Sequence, residues 1–258
     1  MNGYRNENQR LWNEWSDEFQ ALWNADTAEG ERPPAPCPFT PDAPGGSHPD
    51  ILPSIEGIDF IEIGCGGGQA SVGTAAEGAD TVVGVDFSAE QLRHARTLRD
   101  IYGVEAQFVS GEITTLSFAD NTFDAAFSGW VLQMVDHLET SLREAHRVLR
   151  DNGVFVFDFP HPFYELFDPE TGDLERSYHR DPRRNITIDE EYDADLIVFD
   201  RKVSELHNTA VDAGFDVRRI LEPGSDDPGE YDDDPLESNQ PELMAKVPRT
   251  LRFWAVAN

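Results

Sequence analysis

Apolar residues recur along this chain at two periods, and the change of period divides it. Between Asn6 and Asn24, Leu11, Trp15, Phe19 and Leu22 follow one another at helical spacing, with Trp12 and Trp23 widening the stripe. The spacing predicts one amphipathic helix, and its aromatic face reads as a docking surface, with a substrate box as the alternative. From Glu29 to Pro53 the pattern lapses into Pro, Gly and Asp, which predicts an extended linker. Residues 1–53 thus read as a helix and linker appended to a domain covering 54–258.

Within that domain short apolar runs alternate with helical stretches. Ile58–Ile63, Thr81–Asp86, Ala106–Ser110, Phe123–Ser128 and Val154–Asp158 read as strands. Gln69–Glu77, the stretch from Ser88 to about Tyr102, and Leu138–Arg150 read as the helices between them. Ser88 is the expected N-cap, with Gln91 as its capping-box partner, and Asp151-Asn152-Gly153 is the expected stop of the later helix. An insertion at about 160–195 breaks the rhythm, although Leu196–Phe199 resembles a short strand. A helix over about Lys202–Ala213 and strands at Phe215–Leu221 and Thr250–Val256 complete the chain. Such alternation predicts an α/β fold, a Rossmann-like three-layer sandwich with a mostly parallel sheet.

Charge and cysteine usage narrow the function classes. The 258 residues carry a formal net charge of −30, and Lys202 and Lys246 are the only lysines. A surface so negative repels phosphate backbones and anionic bilayers, so neither nucleic acid nor an integral membrane contact is expected. A cationic partner or substrate is one explanation; the acid is spread along the chain, which better suits a halophilic, salt-rich cytoplasm where self-repulsion is screened. Two cysteines and no apolar leader fit a reducing, cytoplasmic setting. The acidic stretch Asp226–Asp234 lacks a spaced ligand pattern and reads as a solvated loop, so no metal is expected.

The chemistry concentrates at strand ends. Glu62-Ile63-Gly64-Cys65-Gly66-Gly67-Gly68 joins a strand to a helix, where backbone N–H groups can meet a ligand closely. Gly64 permits the turn, and Gly66 and Gly68 remove side chains that would block the ligand. A dinucleotide fingerprint needs a third glycine where Gln69 stands. Asp86 closes the second strand, where a carboxylate can accept both hydroxyls of a ribose. After the third strand, Glu112 can accept from an adenine amino group, while Ile113 and Phe87 can flank the ring.

In this order and spacing, the glycine run, Val85-Asp86-Phe87-Ser88, Gly111-Glu112-Ile113, Phe123–Ser128 and Arg143–Gly153 resemble the class I S-adenosylmethionine-dependent methyltransferases of the small-molecule type 11 group. The resemblance covers Ile58–Asp158; relatives usually carry Pro-Gly-Gly where this chain has Asp151-Asn152-Gly153. It implies S-adenosylmethionine as cofactor, with Glu62, Gly64 and Gly66 around its methionine part and Asp86 on the ribose. Phe87, Glu112 and Ile113 would surround the adenine, and Ser128 would lie under the sulfonium. It also implies a seven-stranded sheet whose last strand is inserted antiparallel.

Methyl transfer to a small-molecule acceptor needs chiefly alignment and desolvation, so no catalytic dyad is required. The candidates for a general base are His137 and His161, both beyond strand ends, and Trp130, Gln133 and Tyr164 are candidates for the acceptor pocket. The insertion and the aromatic helix would form a lid. A nicotinamide oxidoreductase and a catalytically silent cofactor-binding module are the rival classes. The acceptor's identity and the oligomeric state stay open at this level.

Overall fold

The computed structural model describes residues 3–23, 37–40, 43, 46–168, 171–231 and 240–258. Nine strands and seven α-helices are formed by these residues. Strands β1 (Asp59–Ile63), β2 (Thr81–Asp86), β3 (Gln107–Ser110), β4 (Phe123–Gly129), β5 (Leu149–Pro160), β8 (Phe215–Leu221) and β9 (Thr250–Ala257) make one sheet in the order β3-β2-β1-β4-β5-β9-β8. Every pairing from β3 to β5 is parallel, and β9 runs antiparallel to both neighbours. The antiparallel last strand implied by the resemblance is therefore present, inside the sheet and one place from its edge.

Both faces of the sheet are covered because its central strands are apolar on both sides. On β5, Phe155, Phe157 and Phe159 join one core cluster, while Val154 and Val156 join the other. The first cluster is closed by Leu142, Ala145 and Val148 of α5 (Leu138–Val148) and by Leu206 and Ala210 of α6 (Val203–Asp212). The second takes Val72 of α3 (Gln69–Ala76) and Leu92, Ala95 and Leu98 of α4 (Ala89–Tyr102).

Several boundaries differ from the sequence reading for physical reasons. The single N-terminal helix is two, α1 (Gly3–Glu14) and α2 (Ser16–Leu22), bent at Trp15. Asn24 lies outside the described residues. In the linker, residues 29–36, 41–42 and 44–45 also lie outside them, but Cys37, Phe39 and Ala43 are buried, and Phe39 packs edge-on against Phe60 and Trp254. This part of the linker belongs to the core. Helix α5 stops at Val148, and Asp151-Asn152-Gly153 already lies in β5, with Asn152 at φ 65° beside a register shift against β4. Strand β6 (Arg183–Ile186), which pairs antiparallel with β7 (Leu196–Phe199), gave no apolar signal because it is charged and outward-facing. Ser88 Oγ does cap α4, accepting from Gln91 N at 3.2 Å, but the Gln91 side chain turns to Gln20 and leaves the capping box half made. In the acidic loop, Pro228–Tyr231 is a short 3₁₀ turn, and Asp232–Asp234 lies outside the described residues. A short helix, α7 (Pro241–Met244), precedes β9. Among the described residues, no helix is long and apolar enough to cross a membrane.

Candidate functional site

The chain runs from β1 outward through β2 to β3, then crosses back to β4 on the other side of β1. That reversal opens a crevice above the carboxyl ends of the strands, the usual ligand position in open α/β sheets. A cavity of about 1310 Å³ occupies it, bordered by the ends of β1, β2, β3, β4 and β5 and roofed by α1 and α2.

Burial and hydrogen bonding shape its nucleoside end. Asp86 Oδ2 accepts from Gly66 N at 2.9 Å and Oδ1 from Ser88 N at 2.8 Å, so one carboxylate ties the glycine loop to the start of α4. Burial pushes its pKa up to about 6, against the pull of those two N–H groups. Glu62 Oε2 accepts from both Ser71 N and Ser71 Oγ in the first turn of α3, an arrangement that favours a negative charge there. Desolvation nevertheless wins, and the Glu62 pKa rises to about 8. Phe87, Glu112 and Ile113 also line the cavity.

The glycines divide their labour differently from the sequence reading. Gly66 stands at φ 49°, and a Cβ there would meet nothing nearer than Gln91 Oε1 at 3.6 Å, so its open side faces the cavity. Gly64 also lines the cavity, but a Cβ on it would strike the Val131 side chain at 2.5 Å. Gly68 is absent from the wall. A Cβ there would strike Ala95 and the Phe108 ring at 2.8 Å, so this glycine lets α4 and β3 close beneath the loop.

Three further predicted residues lie off the cavity. Ser128 is fully buried and donates to the Ile63 carbonyl at 2.8 Å, tying β4 to β1. His161 is buried with both ring nitrogens engaged: Nδ1 accepts from Phe163 N at 3.1 Å, which leaves Nε2 to donate to Glu222 at 2.8 Å. A histidine so committed holds the start of the insertion and has no free nitrogen for a base. Tyr164, in the 3₁₀ turn Tyr164–Leu166, is half-buried away from the cavity wall. By contrast Trp130, Gln133 and His137 all line it, with His137 at its exposed rim.

The roof is formed by the aromatic helix expected as part of a lid, and it carries polar residues that sequence reasoning missed. Trp12, Trp15, Phe19 and Trp23 face the cavity, so the aromatic stripe is a pocket wall. Polar contacts hold it down. Asn8, buried, donates to the Ile197 carbonyl and accepts from Ile197 N at 2.9 and 2.7 Å. Arg5 pairs with Glu112, Gln9 Nε2 donates to the Phe87 carbonyl at 2.6 Å, and Gln20 Nε2 donates to Gln91 Oε1 at 2.8 Å. Polar residues in a helix give no long-range signal in sequence, so this docking was illegible there.

Another missed pair closes the far end. Asp158 on β5 and Arg252 on β9 stand opposite each other in register and share two hydrogen bonds of 2.7 and 2.6 Å, each residue 4% exposed. Burial raises the Asp158 pKa, while the Arg252 guanidinium opposes that rise. Arg249 lies with its guanidinium 5.2 Å from the centre of the Trp130 ring.

A nucleoside cofactor with an amino-acid tail fits this donor set: two carboxylates, an open glycine turn and flanking apolar side chains in one cavity. Comparison with known proteins agrees. Residues 61–157 match the type 11 family model described as a methyltransferase domain. An uncharacterized methyltransferase, YbaJ of Bacillus subtilis (strain 168), is 34% identical over 47% of this chain and 48% of its own length. The chain spans about half the length of the curated relatives it matches. An S-adenosylmethionine-dependent methyltransferase from Mesorhizobium loti superposes with a TM-score of 0.63 at 24% identity, over 80% of this chain and 94% of that one. The [4+2]-cyclase SpnF shares the fold over 97% of this chain and 96% of its own, with a TM-score of 0.61 at 16% identity. The fold alone therefore does not dictate the reaction.

Proposed function

We propose that the protein transfers a methyl group from S-adenosylmethionine to a small apolar molecule. The observation that carries this reading is one cavity holding Asp86, Glu112 and the open Gly66 turn at one end and an aromatic chamber at the other. Asp86 would take the ribose hydroxyls and Glu112 the adenine amino group, with Phe87 and Ile113 on the ring faces. Gly66 would leave room for the amino-acid tail, near Glu62, while Gly64 lets the Val131 side chain close against the loop. The bound cofactor supplies a methyl group on a positively charged sulfur, ready for in-line displacement by an acceptor lone pair.

The chain's own residues then align the reactants and exclude water. At about 1310 Å³ the cavity exceeds the roughly 300–1,000 Å³ usual for one ligand, so it has space for donor and acceptor together. Trp12, Trp15 and Phe19 form a dry roof, which strengthens electrostatics around a cationic donor. His137 is the one imidazole lining the cavity among the described residues and would receive the proton of a protic acceptor. In this reading the catalytic domain is residues 54–258, and helices α1 and α2 cap its cavity. The net charge of −30 supports a cytoplasmic, salt-adapted enzyme with no nucleic-acid partner.

Calorimetric titration with S-adenosylhomocysteine and with NADH tests the cofactor. Binding of S-adenosylhomocysteine alone is expected, with Asp86→Ala weakening it at least tenfold. Binding of NADH alone would overturn the reading, and unchanged affinity in Asp86→Ala would overturn the ribose assignment.

A further inference from the structure

Trp130 stands at φ 55°, a left-handed backbone that a bulky side chain adopts only when its surroundings hold it there. Here they do. Its N–H donates to the Asp158 carbonyl at 3.3 Å, its own carbonyl accepts from Gln133 Nε2 at 2.6 Å, and Arg249 sits over its ring. The segment that follows is clamped as well, because Arg201 donates to the carbonyls of Leu132, Val135 and Asp136. The strained tryptophan is thus fixed in the cavity wall by Asp158, Gln133 and Arg249, with Arg201 holding the segment that follows.

Gln133 is the informative member. Its Nε2 bond to Trp130 sets which way the amide faces, and its Oε1 is then buried without any hydrogen-bond partner. An orphaned carbonyl oxygen is costly in a protein interior and calls for a donor. Gln133 and Trp130 line both the main cavity and a side pocket of about 170 Å³. An oxygen there accepts from O–H or N–H and repels a carboxylate.

We infer that Trp130 and Gln133 form the acceptor subsite, and that the acceptor is a planar apolar molecule bearing a hydroxyl or amine hydrogen, its ring on Trp130 and its donor on Gln133 Oε1. This rests on the methyltransferase reading for the word acceptor, but the binding preference itself does not need the cofactor. Gln133 is here a specificity-determining residue: it selects a protic molecule, and the aromatic roof accommodates whatever apolar substituent that molecule carries.

The test uses three probes of one scaffold, 2-naphthol, 2-methoxynaphthalene and 2-naphthoate. Their affinities for the full chain are measured by calorimetry with and without saturating S-adenosylhomocysteine. The expected result is 2-naphthol bound about tenfold more tightly than either other probe. In Gln133→Met, which keeps the side-chain shape, 2-naphthol and 2-methoxynaphthalene should bind within about threefold of each other, with S-adenosylhomocysteine affinity unchanged. Equal binding of the probes by the native chain, no binding of any of them, or a preference that survives in Gln133→Met would overturn the inference. The comparison within the native chain needs no variant to fold. Failure of S-adenosylhomocysteine to bind the native chain would instead count against the methyltransferase reading, leaving the probe preference to stand or fall separately.

Discussion

Replacing Asp158 by Asn should destabilise the protein severely, and the structure says by how much. Asp158 and Arg252 face each other across the β5–β9 register with two hydrogen bonds, and each is only 4% exposed. Removing the carboxylate deletes the charge that faces Arg252 across the two strands, where little water reaches either residue. Breaking a buried pair in this way costs about 3–5 kcal/mol. Total stability for a domain is about 5–15 kcal/mol, so the loss is a large fraction of it. At about 2–4 °C per kcal/mol for a chain of this size, the melting temperature should fall by roughly 6–20 °C. Replacing both partners, Asp158→Leu with Arg252→Met, removes both charges and should restore most of the stability. Urea denaturation of the two single variants and the double variant gives the coupling directly. A loss below about 1 kcal/mol in Asp158→Asn would refute the reasoning, since Arg252 would then be satisfied without the Asp158 charge. A double variant that is stable but inactive would show that the pair serves the cavity more than the fold.

Other expectations follow from the same geometry. The Glu62 pKa is raised to about 8, so the folded protein holds a proton there that the unfolded chain releases above about pH 4.5. This contribution is fully present below the unfolded value and is lost as pH rises through 8; melting temperature should therefore fall from pH 6 to 9, and Glu62→Gln should flatten that slope. A cation held beside Glu62 favours its ionised form, so S-adenosylmethionine should release protons on binding at pH 7, seen as buffer-dependent heats in calorimetry; heats identical in phosphate and Tris would contradict it. Gly68→Ala meets both a left-handed backbone at φ 77° and the Phe108 ring at 2.8 Å, and should cost about 1–3 kcal/mol in urea unfolding. Gly67→Ala would push on the buried Gln20 amide, which Gln91 and Gln69 hold, and should loosen that anchor of the roof at a cost of about 1 kcal/mol by the same measurement. Asn8→Ala leaves the Ile197 N–H and carbonyl without their partner, and amide exchange along α1 should accelerate by at least tenfold.

The sequence alone determined the alternation of strands and helices and the positions of Gly66, Asp86 and Glu112, because each depends on residues close together in the chain. Apolar periodicity is a local signal, and a ligand loop at a strand end needs only the strand, the turn and the helix that follow one another. The same locality explains why Ser88 was legible as a cap, and why the α5–β5 junction was misread: Asp151-Asn152-Gly153 looks like a helix stop, and only pairing with β4 draws it into a strand. What the tertiary structure decided depends on partners far apart in sequence. Arg252 reaches Asp158 across 94 residues, and Asn8 reaches Ile197 across 189. His161 lost its place as a base because Glu222, 61 residues away, takes its free nitrogen. The aromatic stripe on α1 and α2 had the same periodicity whether it docked on a core or walled a cavity. Only the polar anchors that seat those helices over the strand ends turned it into the roof of a site, since hydrogen bonds between distant side chains leave no periodic trace in the chain that makes them.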